Sequence, residues 1–390
     1  MNRKELILLL LGVIAIGGTS IGVFKRNASS WHEAAPTPTG KVLKEFALND
    51  VARIQIKSNQ SDLNLIKKDG QWTLKERGDY PANFEQIGDL VRKIWELKAV
   101  QTVKAGPSQL GRLNLNEQGS ASPSAGTLVD LKDQSGTRIS ALLVGKPYLR
   151  GDGGMEEGGG YPAGRYVVAL DADRQALLVS EPFTQVDSPA AQWLDHAFFK
   201  IDHIKSAVVT GTSPEAGWKL SRENETANWK LEDAKPGEEL DQAKVPAFVS
   251  QLGFPGFIDV APRDSAGKTP VLEKPAAMTV ETFDGFLYTI KLGSPVGENC
   301  PLTVSVSANL PKKRVAGKEE KPADKTRLDA EFAAKAKELQ AKLEKEKKFE
   351  KETYLVAKSG FDSMLKQRSE LMAEKKPAPT PSPSPAEKAK

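Results

Sequence analysis

Residues 67–74 read KKDGQWTL, and residues 221–231 read SRENETANWKL. Each sets a polar turn before a tryptophan, with alternating residues on both sides. That is the signature of strands joined by a tight turn. Meeting it twice constrains this chain more than any other feature, because it predicts one architecture used twice.

The first pass opens at Phe46. Val51–Lys57 (VARIQIK) and Leu63–Lys67 (LNLIK) alternate, and Trp72–Leu74 begins a third strand after the Asp69–Gly70 turn. Asn83 is placed to cap a helix, with Gln86 three residues on, and Phe84, Ile87, Leu90, Val91, Ile94 and Leu97 form its apolar face. Val100–Val103 leads out of it. A hairpin follows over residues 128–145 with its turn at Gln134–Gly136, then strands at Arg165–Ala169 and Ala176–Val179.

The second pass starts at Ile201. Ala207–Thr210 and Trp218–Leu220 read as strands, and Trp229 takes the place of Trp72. Asp241 opens a predicted helix that tolerates Pro246 only in its first turn, with Val245, Phe248, Val249 and Leu252 as its buried side. FIDV (257–260) answers AVQTV (99–103). The spacing from Trp72 to Trp229 is 157 residues, as is that from Val103 to Val260. The hairpin at 278–293 turns at Asp284–Gly285, and both hairpins end in glycine, Gly145 and Gly293, with a proline two residues on. YLVAKSGF (354–361) echoes LLVSEPF (177–183). The expected fold is α+β, built from duplicated antiparallel-sheet-plus-helix units over 46–200 and 201–372.

The N-terminus points to a location. Residues 6–24 carry no charge, and at ~1.5 Å per residue their helix would span the ~30 Å of a bilayer core. They run directly into Lys25–Arg26 without a small-residue cleavage site, so an uncleaved transmembrane helix is expected over 1–26. No cysteine follows to carry a lipid. A Pro/Thr-rich spacer, 27–45, leads to the body. Arg3 and Lys4 are balanced by Lys25 and Arg26; a short N-terminal tail ahead of a large body favours N-in topology and an extracytoplasmic body.

The segments VARIQI, LIKKDGQWTL, PANFEQIGDLVRKIWEL and the hairpin ending LLVGKP resemble bacterial envelope proteins of domain-of-unknown-function family 4340. The likeness is closest over 41–200 and fainter to about 370. The resemblance implies a membrane-anchored protein of the bacterial envelope, which with the N-in topology gives an expected single-pass protein of the bacterial inner membrane with a periplasmic body. It also implies association with gliding-motility-type ABC transporter components. It supplies no catalytic residue.

Little in the chain points to chemistry. A net charge of +4, from 55 basic and 51 acidic residues, gives no field that favours nucleic acid. The lone cysteine, Cys300, excludes an intrachain disulfide and CxxC metal or redox motifs. Asp195–His196 and Asp202–His203 recur seven residues apart, but residues 189–199 read as helix and Ile201 onward as strand, so the pairs need not share a face. His32 lies in the spacer. The glycine-rich loop at 151–160 follows no strand-to-helix pattern, and its acidic residues would repel phosphate. No nucleophile, metal or phosphate motif appears, and no cofactor or metal is expected. The tryptophans offer sugar-stacking surfaces, although their patterned positions favour core packing.

Residues 311–352 interrupt the second pass. Leu328, Phe332, Leu339 and Leu343 fall at helical spacing among Ala, Lys and Glu. They predict a helix that either folds back on its own domain or presents a narrow apolar stripe to a partner; the heptad is too short for a coiled coil. The tail, 373–390, is Pro-rich and polar. These features make a non-enzymatic, membrane-anchored envelope scaffold or accessory subunit the leading expectation. A glycan- or peptide-binding module and a hydrolase with an acidic dyad are the alternatives.

Overall fold

At the first turn, Asp69 and Gly70 both adopt positive φ, 47° and 82°. Two consecutive left-handed residues give the tight turn whose twist matches that of the flanking strands. The structure is a computed structural model that describes residues 40–117, 124–150, 160–172, 174–210, 217–246, 252–253, 255–263, 272, 274–316, 320–361 and 368–373. The predicted anchor at 6–24, the spacer through residue 39, His32, most of the glycine-rich loop, Phe248, Val249 and the tail beyond 373 lie outside these residues. Among the described residues no helix is long and apolar enough to cross a membrane.

The fold is a mixed α+β one, mostly strands, built on two antiparallel sheets. The first contains β1 (Arg53–Lys57), β2 (Asp62–Lys68), β3 (Gln71–Leu74), β4 (Tyr80–Pro81), β5 (Ala99–Val103), β6 (Thr127–Lys132), β7 (Arg138–Arg150), β8 (Tyr161–Ala169) and β9 (Ala176–Val179). Their order is β4-β3-β2-β1-β6-β7-β8-β9-β5. Helix α1 (Phe84–Trp95) lies between β4 and β5 in the chain. Asn83 caps it, its side-chain oxygen accepting the Gln86 amide at 3.1 Å, which satisfies one of the amides a helix start leaves open. Ile87, Leu90, Val91 and Ile94 are buried along one side; a fully buried aliphatic side chain contributes ~1.5–3 kcal/mol. Phe84, expected on that side, is instead 70% exposed.

The second sheet contains β10 (Ile204–Thr210), β11 (Trp218–Ser221), β12 (Lys230–Leu231), β13 (Asp259–Val260), β14 (Ala276–Thr282), β15 (Phe286–Leu292), β16 (Asn299–Ala308) and β17 (Tyr354–Ala357). Its order is β12-β11-β10-β14-β15-β16-β17-β13. Substituting strands in chain order converts the first sequence into this one, with β4 alone left over. The registers agree too. Leu74 pairs Leu65 across β3–β2, and Leu231 pairs Leu220 across β12–β11, with a tryptophan two residues before each.

The chain divides into two units. One runs to Glu76 and resumes over Pro81–Trp193; the other takes Arg77–Tyr80 and everything from Leu194. The second unit's core is rich in aromatic rings. Phe198, Phe257 and Tyr354 meet at centroid distances of 4.6–5.1 Å, the spacing at which ring quadrupoles favour tilted contacts.

Both hairpin-ending glycines occupy crowded positions. A Cβ on Gly145 would lie 2.3 Å from the Leu113 carbonyl oxygen, and one on Gly293 would lie 2.9 Å from the Pro301 ring. Close approach of neighbouring chain explains glycine there.

Two expected helices differ from the sequence reading. Residues 189–199 form only a 3-10 turn, Ala190–Trp193, followed by irregular chain. Around Asp241, a turn leads to helical residues at 245–246 and again at 252–253, with Val245 and Leu252 buried.

Candidate partner-docking site

Helix α2 (Pro322–Glu346) occupies the interruption between β16 and β17, and β16 and β17 pair directly, Leu302 opposite Tyr354. Pro322 suits the first helical position, where no amide partner is needed. Ala, Lys and Glu then carry the helix by propensity, and Arg327 reaches Glu331 one turn on at 2.7 Å.

The apolar stripe is not uniform along α2. Leu328, Phe332 and Leu339 are half-buried. With Ala336 they form one wall of a groove of about 400 Å³ whose other wall is Phe283, Gly285, Leu310 and Pro311. Leu343 is buried, 8% exposed. The four predicted residues therefore divide: three border open space and the fourth packs into the second unit.

Polar contacts fix the helix at both ends of the groove. Asp284 accepts from His203 Nδ1 at 2.6 Å and from Lys335 Nζ at 3.0 Å. Partial burial opposes ionisation of Asp284, but the hydrogen bonds from His203 and Lys335 hold its carboxyl below the usual range. His203 adopts φ 52°, which aims its ring at the turn. Near its start, Asp329 accepts from Arg314 at 2.7 Å, and Glu320 also pairs with that guanidinium.

The C-terminal end of α2 is core. Glu346 is 4% exposed and accepts the Tyr288 hydroxyl at 2.6 Å and the Lys200 amide at 3.1 Å. Beyond it Phe349 packs against Phe198, centroids 5.4 Å apart, and Glu350 accepts the Val306 amide at 2.7 Å. The segment 311–352 is thus a protruding helix whose last turns belong to the sheet's packing.

The remaining candidates disperse. His196 lies against the Phe257 ring at 4.9 Å while His203 serves Asp284, so the two Asp–His pairs do not converge. Among the described residues no group of three His, Cys, Asp or Glu is arranged to hold a metal ion. Cys300 is fully buried opposite Val356. Trp72, Trp193, Trp218 and Trp229 are buried, so they present no open ring face for stacking on a sugar. The His203–Asp284–Lys335 link has no signal in the sequence, because its members are distant and each residue type is ordinary on a surface.

The family model for the domain of unknown function DUF4340 matches residues 72–275. The chain belongs to this family. The DUF4340 match runs from the Trp72 strand of the first sheet into the second unit and stops short of α2. No curated protein and no solved structure matches the chain.

Proposed function

We propose that this DUF4340 protein is a non-enzymatic scaffold or accessory subunit of an envelope or transporter-like complex. Its single-pass anchor is residues 6–24 and its body is periplasmic. On this reading the two units are copies of one ancestral domain, supported by their matching strand order and registers. The uncharged, 19-residue length of 6–24 supports the anchor.

One observation carries the scaffold reading. Helix α2 holds Leu328, Phe332 and Leu339 against an open groove instead of closing them into the core. An apolar helical stripe beside a groove is a mode of peptide or helix recognition. The partner is therefore an apolar segment of an envelope protein seated between α2 and the β14–β15 turn.

A photo-crosslinking residue at position 332, activated in intact membranes, tests this. It should yield one recurrent envelope protein, and Leu328→Glu should abolish that product while unit 2 stays folded. Crosslinks confined to the chain's own residues 283–285 and 309–311 would overturn the docking assignment. Recovery of the protein as a soluble species lacking residues 6–24 would overturn the anchor.

A further inference from the structure

Trp72 and Trp229 hold corresponding places, yet what covers them differs. In the second sheet Arg222, one step beyond the Ser221–Lys230 pair, lies over the Trp229 ring at 4.8 Å. Its guanidinium is fixed there by the carbonyls of Ile204, at 2.8 Å, and Glu225, at 2.6 Å. In the first sheet the residue opposite Trp72 is Lys67. Instead of a cap there is a groove of about 330 Å³, walled by Leu48, Trp72, Phe84 and Val91 with Lys67 and Arg92 beside them. Both rings are buried, Trp72 at 7% and Trp229 at 8%, but Trp72 borders a groove where Trp229 has Arg222 over its ring. The opening is therefore not a requirement of the architecture.

Three features point to an occupant. Phe84 and Leu48 are 70% and 40% exposed, an apolar rim that water solvates poorly. Gly88, one turn after Phe84, borders the groove inside α1, and a Cβ there would meet nothing within 4 Å. Glycine inside an exposed helix is unfavourable, and here it widens the groove without relieving any crowding. Among the described residues, the charged ones that line the groove, Lys67 and Arg92, are basic. Lys67 has no carboxylate partner among the described residues, and Arg92 shares Asp89, at 2.8 Å, with Lys93.

We propose that this groove docks a segment of a partner protein that inserts one apolar side chain between Leu48, Phe84 and the edge of Trp72 and sets an adjacent carboxylate on Lys67. The assignment stands apart from the α2 groove and from the scaffold reading. Charge complementarity selects an acidic partner peptide over a basic one, and the volume suits a single Leu or Phe side chain.

The test uses the full chain and acetylated hexapeptides with a central Leu or Phe flanked either by aspartates or by lysines. Binding is read from the chemical shifts of the Gly88 amide and the Trp72 indole. The aspartate-flanked peptides should bind at least tenfold more tightly. Gly88→Leu, which fills open space, should abolish binding without lowering the melting temperature, and Gly88→Ala should keep it. Lys67→Glu should reverse the preference of flanking charge. Equal binding of both peptide sets, no binding of either, or unchanged binding to Gly88→Leu would overturn the proposal. So would self-association of the protein that Gly88→Leu abolishes, since the occupant would then be a second copy.

Discussion

Tyr288 donates its hydroxyl to Glu346 across 2.6 Å, and both residues are buried. Through this bond the last turn of α2 becomes part of the sheet that the helix interrupts. Both carboxylate oxygens are used, the second by the Lys200 amide at 3.1 Å, as a buried carboxylate requires. Tyr288→Phe leaves one oxygen unsatisfied and should cost ~1–3 kcal/mol. The check is a lower midpoint of urea unfolding at unchanged slope; an unmoved midpoint would show the bond contributes nothing.

The same anchoring divides α2 into a dispensable and an indispensable part. Pro311 and Leu339 border one groove, so a short Gly/Ser linker can replace residues 312–338 and leave unit 2 folded. Extending the replacement to 351 removes Leu343, Glu346 and Phe349. Loss of two buried apolar side chains alone should cost more than ~4 kcal/mol, and circular dichroism should show unit 2 largely unfolded.

Glycine at the two hairpin ends should tolerate alanine unequally. The Gly145 position faces a backbone oxygen that cannot move aside, whereas Gly293 faces the tips of Pro301 and Leu272. Gly145→Ala should lose ~3 kcal/mol, at the upper end for overpacking, and Gly293→Ala ~1 kcal/mol. Thermal melts of the two variants would reveal the ranking, and a reversed order would refute it.

Alkali should destabilise the second unit in a defined window. Burial, reinforced by the charges of Asp195 and Glu352 and offset in part by Tyr354, pushes the Tyr80 hydroxyl up to about 12. Its neutral form is thus favoured in the fold. The stabilisation is complete below the ordinary tyrosine value near pH ~10 and is lost as pH rises toward 12, a loss of about 2–3 kcal/mol. Burial raises Tyr288 and Tyr354 in the same direction. Melting temperatures between pH 9 and 12 should fall, and less steeply in Tyr80→Phe.

Acid should release residues 368–373 first. Hydrogen bonds from Arg368 and the Lys235 amide hold Glu238 down to about 2. That contribution is present above the ordinary glutamate range and lost as pH falls through about 2. The backbone bonds Asp241 N to Leu371 O and Ala373 N to Glu239 O, 3.0 and 2.9 Å, should then lose exchange protection. Arg368→Ala should expose them at neutral pH.

Local signals were legible wherever the cause is local. The Asp69–Gly70 turn, the Asn83 cap and the strands around Trp72 and Trp229 follow from residue type and spacing. The alternating runs in both halves anticipated antiparallel sheets combined with helix. Phe84 was misplaced because helical periodicity allots a residue to a face without saying how far the partner surface extends. The exposed stripe of α2 and its buried end look alike in sequence, since Leu339 and Leu343 are the same residue type at helical spacing, and only packing against chain distant in sequence separates them. The groove beside Trp72 was hidden for the same reason: Arg222 lies over Trp229 in part because the Ile204 carbonyl of the neighbouring strand holds it there.

The second sheet ends on either side in a strand of two residues, Lys230–Leu231 and Asp259–Val260. The first ends in one such strand, Tyr80–Pro81, whose proline has no amide to offer, and in the five residues Ala99–Val103. There the register slips between Ala99 and Gln101. Short, broken or proline-bearing margins give a foreign strand little length to zip onto. Such margins offer little template for fibrils, and Ala99–Val103, the longest of the four, is the one whose length a register slip interrupts.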